Sequence, residues 1–305
     1  MPQKTLKKTT HNNPASLRLA ARTLASNYPA LLAEAERVAA IMASGLHGRR
    51  KAGQGETFWQ YRPYDSSDAA NRIDWRRSAR GDSLFVRDNE WEAAHTVYLW
   101  QDKHVGMDWA SHKSLPFKSE RAAVLCLAIS HLLMQAGERC AILGSEHRSR
   151  TGRTGLDRLF EDFITTPGTH ADFQSDMRPH SKVVIASDFL GSLEAWTEEL
   201  AKVAARPTQG ILLHLVDPAE QAFPYKGRLQ LRMPGLETVK SLIVGRAETA
   251  QQAYQARFER HKSDIDALAR RLGWQVIRHQ TNEPATLALN RLYGLLSGQP
   301  ADYRS

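Results

Sequence analysis

Three apolar runs of this chain each end on an acidic residue. His95–Gln101 runs into Asp102, Lys182–Ser187 into Asp188, and Ile211–Val216 into Asp217. Ligands of open α/β sheets bind in the crevice at the carboxyl ends of the strands. A site in this part of the chain should therefore involve Asp102 and Asp188. His104 follows Asp102 closely enough to form an acid–base pair with it at the end of a strand. Ser187-Asp188 suggests a hydrolase centred on Asp188, although no His is placed by the sequence as its general base. The 12 histidines show no metal-ligand spacing, and His131 and His214 read as core or edge residues. The chain has no Gly-x-x-x-x-Gly-Lys-Ser/Thr loop, no Gly-x-Ser-x-Gly elbow and no His-Glu-x-x-His pair.

A second group of residues is concentrated between Glu56 and Glu92. Arg62, Arg72, Arg76, Arg77 and Arg80 alternate there with Tyr61, Tyr64 and Trp75. Such a segment could contact phosphates through Arg and stack bases on its aromatic rings. Glu56, Asp65, Asp68, Asp74 and Asp82 leave it nearly neutral, however. That balance favours a structural network of Arg62, Asp68, Arg72, Asp74, Trp75 and Arg80, in which guanidinium forks meet carboxylates. A partner-protein surface is the second reading and nucleic acid the third.

The elements that must position these residues can be read from periodicity. A helix is expected from Pro29 to Ser44, with Leu32, Ala35, Val38, Ala39 and Met42 on one face. Short strands are expected at Thr57–Tyr61 and Ser83–Arg87. After His95, strands at 95–101, 139–143, 182–187, 211–216 and 274–278 alternate with helices at 119–135, 155–164, about 190–205, 247–272 and 284–296. That alternation predicts an α/β fold with a doubly wound, mostly parallel sheet. The expected organisation is a basic tail and N-terminal helix over 1–45, a small β-rich module over 46–93, and an α/β domain over 94–305.

The 305 residues carry 41 Lys or Arg against 33 acids, a formal charge of +8, and are 42% hydrophobic. This is globular composition, with enough chain to bury a core. Residues 1–93 hold 15 Lys or Arg and 10 acids. Much of that surplus lies in Lys4, Lys7, Lys8 and Arg49-Arg50-Lys51, where charge runs are usually solvated. A nucleic-acid-binding module in this basic N-terminal region remains an alternative function. The longest apolar stretches, Ala122–Ile129 and Gly210–Val216, fall far short of the roughly 20 residues of a membrane span. The polar N-terminus has no apolar core of a signal peptide. A cytoplasmic location with no membrane span is therefore expected, with Cys126 and Cys140 reduced and packed in the core.

The segment from Gly55 to Arg80 resembles the signature of the domain of unknown function 58 family. Phe58, Arg62, Tyr64, Asp68, Arg72, Ile73, Asp74, Trp75, Ser78, Ala79 and Arg80 fill its places. Ser187-Asp-Phe, Asp217-Pro-Ala-Glu220, Gly273-Trp and His279-Gln-Thr continue the similarity to about Leu296. The resemblance implies a von Willebrand factor A-like domain and partnership with a MoxR-type AAA+ ATPase. It also implies a metal-ion-dependent adhesion site of the form Asp-x-Ser-x-Ser, with a Thr and a second Asp. In this sequence the first motif reads Asp102-Lys-His104-Val-Gly106-Met, so both serines are replaced. Asp188 fits the second Asp, and Thr151 or Thr154 the Thr. An imidazole suits a hard cation such as Mg²⁺ poorly. The expectation is a degenerate, metal-free site, with Asp102 and Asp188 the ligands of any Mg²⁺. The expected function is a non-enzymatic adaptor that works with such an ATPase on a client complex and meets its partner through Asp102, His104, Thr154 and Asp188.

Overall fold

The computed structural model describes residues 33–43, 58–64, 73–79, 83–89, 96–231 and 242–297. The chain divides into two compact units: Ser44–Ala94, and Met1–Ala43 together with His95–Ser305. The N-terminal helix, α1 (33–43), thus belongs to the larger unit. Of its expected apolar face, Ala35, Val38, Ala39 and Met42 are buried, whereas Leu32 and the expected ends of the helix at Pro29 and Ser44 lie outside the described residues.

In the smaller unit β1 (Phe58–Pro63), the single helical turn α2 (Trp75–Ser78) and β2 (Phe85–Asn89) are described. The strands pair antiparallel, with an irregularity between Phe58 and Gln60. Ser78 ties the turn to the hairpin. Its hydroxyl donates to the Asp74 carbonyl at 2.8 Å and accepts from the Phe85 N–H at 3.0 Å. Ile73 is buried, whereas Trp75 is 64% exposed. Asp68, Arg72 and Arg80 of the expected arginine–aspartate network lie outside the described residues, as does the side chain of Arg62. So do the basic residues Lys4, Lys7, Lys8 and Arg49–Lys51.

The larger unit is built on β3 (Thr96–Gln101), α3 (Lys118–Gln135), β4 (Arg139–Ile142), α4 (Gly152–Thr165), β5 (Lys182–Ser187), α5 (Leu193–Ala204), β6 (Gln209–Val216) and α6 (Pro218–Ala222). It continues with β7 (Leu229–Leu231), β8 (Leu242–Val244), α7 (Ala247–Leu272), β9 (Gln275–Gln280) and α8 (Ala285–Leu296). Five strands form one parallel sheet in the order β4-β3-β5-β6-β9. Side chains alternate across the pleat. Tyr98, Trp100, Val183, Ile185 and Leu212 share one core with Trp196, Leu200 and Val203 of α5 and Ile265, Leu268 and Ala269 of α7. Helices α3 and α8 pack against each other and against sheet strands. Nearly every side chain of α3 between Ala122 and Met134 is buried, which explains its almost continuous apolar sequence. The architecture is therefore α/β, with a five-stranded parallel sheet flanked by helices.

The periodicity-based elements recur with small shifts, and α4 begins at Gly152 rather than Gly155. The short helix α6 and the hairpin β7–β8 were not expected, because three- and five-residue elements are too short to show a period. Cys126 and Cys140 are free and buried. Burial pushes the Cys126 thiol up to about 12 and also raises that of Cys140. No helix among the described residues is long and apolar enough to cross a membrane.

Gly210 marks a close approach on β6. A Cβ built there would lie 1.9 Å from Cδ2 of Trp274, whose indole covers the backbone. Gly210→Ala should therefore displace Trp274, which is 5% exposed, and destabilise the domain by about 1–3 kcal/mol or more. Urea unfolding followed by tryptophan fluorescence measures it; an unchanged midpoint would contradict the packing.

Candidate functional site

Counting only the strands of the parallel sheet, their spatial order is 2-1-3-4-5, so the direction of winding reverses between β3 and β5. Such a switch point leaves a crevice at the carboxyl ends of the two strands, because their connections leave toward opposite faces. Asp102 follows β3 and Asp188 follows β5, so topology places both expected carboxylates at this crevice.

Asp102 is buried and fully engaged. Its Oδ1 accepts from the His104 N–H at 2.9 Å, and its Oδ2 from the Ser187 hydroxyl at 2.7 Å. Oδ2 also lies 3.0 Å from His104 Nδ1. His104 Nε2 points back toward Asp188, 3.8 Å from its Oδ2. The ligand atoms of Asp102, His104 and Asp188 all lie within 4.8 Å of one another. Burial alone would lower the His104 pKa. The hydrogen bond that the imidazole donates to Asp102 and the charges of Asp102 and Asp188 outweigh it and raise the imidazole above its ordinary value. For Asp102, burial acts upward, and the bonds and charge from His104 and Ser187 overcome it, lowering the carboxyl.

Asp188 is held from the opposite side. The ammonium of Lys118, on the first residue of α3, sits 2.7 Å from Asp188 Oδ2 and 2.5 Å from Glu220 Oε1. Lys118 and Asp188 side chains are each 1% exposed. The Trp109 ring covers the ammonium at 5.9 Å. Burial acts to lower the Lys118 pKa, but the two carboxylates prevail and raise it. Asp188 Oδ1 accepts from the Leu190 N–H at 3.0 Å, and Phe189 between them adopts a left-handed φ of 52°. Its N–H donates to Ser187 Oγ at 2.9 Å. Glu220 is held by α6, where Asp217 and Glu220 form a capping box around Pro218. Asp217, the third expected strand-end acid, is buried, and its Oδ2 accepts from the Ser111 N–H at 2.9 Å.

Beside this network opens a cavity of about 790 Å³. Asp102, His104 and Asp108 give it a polar floor, and Phe163, Leu190 and Trp196 contribute apolar walls. Its size is that of a cleft for a small ligand or a partner's side chains. Lys103 lines it but is committed to the fold. Its ammonium donates to the carbonyls of Phe163 and Thr166, both at 2.6 Å, and closes the C-terminus of α4. Burial lowers its pKa to about 8, against the charge of Asp172.

Asp102, His104 and Asp188 are thus brought together as expected. Thr154 is not brought to them. It lies in the first turn of α4, about 14 Å along the axis from Phe163 at 1.5 Å per residue. Thr151 precedes that helix and lines a different cavity. The threonines lining the switch-point cavity are Thr165, Thr166 and Thr169. Lys118 and Glu220 are residues of the network that the motifs do not point to, and Ser187, singled out beside Asp188, enters it as a hydrogen-bond donor to Asp102. One signal for Lys118 was available: a cation opening a helix opposes the positive end of its dipole and needs a local counter-charge.

The sequence model of the family described as "Protein of unknown function DUF58" matches residues 60–264. No curated protein matches the chain. A crystal structure described as the conserved hypothetical protein BatB from Bacteroides thetaiotaomicron is similar at 10% identity, with a TM-score of 0.40. The alignment covers 68% of this chain and 100% of that one. A likeness of this size identifies neither fold nor activity.

Two predictions test the network. Removing one member of a buried ion pair leaves the other charge unpaired, at about 3–5 kcal/mol. Lys118→Met should lower stability by that amount in urea titration. Adding Asp188→Asn and Glu220→Gln should recover at least half, whereas no recovery would show that the charges are not what is lost. His104 sets a pH dependence. Because its folded pKa is raised, its stabilisation is complete below pH 6.5, the ordinary imidazole value, and disappears as pH rises through the folded pKa. The melting temperature of the wild type relative to His104→Gln should therefore fall from pH 6 upward; a constant difference would contradict the pairing with Asp102.

Proposed function

The chain belongs to the DUF58 family, whose matching region spans more than half of it, and on that premise we propose a metal-free docking protein that receives a partner at the sheet's switch point. The observation that carries this reading is the polar network under the 790 Å³ cavity, in which every carboxylate oxygen of Asp102 and Asp188 already accepts from a donor of the chain itself. In the von Willebrand A-like arrangement that the family resemblance implies, a divalent cation would sit between these carboxylates. Mg²⁺ prefers about six oxygen ligands in near-octahedral geometry. Here an imidazole and an ammonium approach the same oxygens, a donor set that fits Mg²⁺ poorly. The Lys118 ammonium takes the part of the counter-ion.

The same network speaks against hydrolysis at Asp188. Ser187 is 0% exposed, and its hydroxyl is committed to Asp102 while accepting from Phe189. A serine nucleophile would need a free base within reach of its hydroxyl. The surface around the cavity suits a protein partner instead: Leu190 is 44% exposed at its edge, and His104 is a half-exposed polar centre. Apolar walls around a few fixed polar groups are how partner side chains are anchored. Following the family resemblance, the partner is a MoxR-type AAA+ ATPase, with this chain as a non-enzymatic adaptor in the assembly or maturation of a client complex.

Binding of the purified chain to a MoxR-type ATPase from the same organism tests the proposal. Wild type should bind, and Leu190→Asp should weaken binding at least about tenfold, a 1.4 kcal/mol loss, with an unchanged melting temperature. Equal binding by Leu190→Asp would remove the cavity from the interface, and no binding by wild type would remove the adaptor role. Millimolar Mg²⁺ should leave the wild-type melting temperature unchanged, since a specific ligand of the folded state must raise it.

A further inference from the structure

A second cavity, of about 380 Å³, lies at the opposite end of α4 and has the reverse character. Arg139, Arg150 and Arg158 line it together with Ser149, Thr151 and Gly155. Among the described residues, the arginine ion pairs join Arg121 to Glu34 and Arg278 to Asp266, and none involves these three. No carboxylate-bearing residue lines the cleft beside these three arginines, and Arg stays protonated at any physiological pH. The Ser149 hydroxyl is buried and has no hydrogen-bond partner.

The backbone fixes this grouping. Arg150 is bridged to Cys140, next to Arg139, by two hydrogen bonds: Cys140 N–H to Arg150 O at 3.0 Å and Arg150 N–H to Cys140 O at 3.1 Å. Gly155 allows the first turn of α4 to close on that bridge, since a Cβ there would lie 3.0 Å from Arg150 Cβ and 2.9 Å from Met134 Cε. Arg158 stands about one turn further along the same helix. The Thr151 side chain makes no cap hydrogen bond, so the first N–H groups of α4 also face this region without that partner.

We propose that this arginine cleft binds the dianion of a phosphate or phosphate monoester. Planar guanidinium forks match phosphate oxygens in pairs. Three of them can neutralise a dianion, and Ser149 and Thr151 are the neutral polar residues of the lining. A carboxylate offers one negative charge and two oxygens, which uses the cleft less fully. The site is independent of the docking cavity, because it shares none of that cavity's lining residues.

Inorganic phosphate at constant ionic strength is the probe, read by thermal shift and calorimetry on the full chain. Phosphate should stabilise the wild type saturably. Arg150→Gln/Arg158→Gln, both exposed positions, should weaken the affinity at least about tenfold while the unliganded melting temperature stays the same. A second double variant, Arg139→Gln/Arg150→Gln, should do likewise and guards against a folding defect in the first. Saturation by glucose 6-phosphate at equal or lower concentration would assign the cleft to a monoester, and saturation by phosphate alone to the free ion. Absence of saturation would overturn the proposal, as would equal affinity in both variants. Tighter, steeply salt-dependent binding of a single-stranded oligonucleotide would also overturn it, since that is the signature of many phosphodiester contacts.

Discussion

The ammonium of Lys118 lies in the interior with two carboxylates around it, and the carboxyl edge of the sheet is organised about that charge. Removing an ammonium from water costs several kcal/mol even after relaxation, so it is tolerated only with close, well-directed partners. Asp188 and Glu220 are those partners, and each belongs to a different strand end, after β5 and after β6. The lysine itself opens α3. One buried charge thus fixes the entry of a helix and the exits of two strands. The left-handed Phe189 is consistent with this demand, because its turn directs Asp188 Oδ2 to the ammonium while Oδ1 takes the Leu190 N–H.

Once Asp188 is bound to Lys118, the rest of the site follows in order. Ser187 turns its hydroxyl to Asp102, Asp102 holds His104, and His104 closes the circuit toward Asp188. The circuit sets Lys118 and the imidazole of His104 among the carboxylates of Asp102, Asp188 and Glu220, so the polar groups of the cavity floor are already paired within the chain. The rim is apolar, whereas the protein as a whole is strongly basic, and the two properties are consequently separable. The overall charge of +8 says little about what the switch-point cavity accepts.

Much of the fold was legible because it rests on periodicity. Alternating apolar runs and amphipathic helices marked the five sheet strands and their helices, and the acids after β3 and β5 marked the switch point where the candidate site is described. What was not legible depended on distance in sequence. Lys118 meets Glu220 across 102 positions, and Ser187 meets Asp102 across 85. A motif is a local pattern and contains no such pairs. Thr154, grouped with the site for its chemistry, lies in the first turn of α4, whereas the cavity is lined by the last turn of that helix. Local spacing gives the face and turn of a residue, whereas its end of the sheet follows only from where the helix starts.

Helix α4 joins the two cavities and makes their opposite characters intelligible. Its peptide dipoles leave partial positive charge at the N-terminus and partial negative charge at the C-terminus. At the C-terminal end Lys103 satisfies the free carbonyls and brings a positive charge to a cavity lined by Asp102 and Asp108. At the N-terminal end no carboxylate is supplied, and the arginines add to the positive pole instead of offsetting it. The two ends are therefore not equivalent in energy. The C-terminal end is neutralised within the fold, whereas the N-terminal end leaves three positive charges and a helix terminus without an internal counter-charge among the described residues. Stability alone would favour an acid in the first turn of α4, where none is present. That absence is a local cost to the fold, and an anion from outside would relieve it.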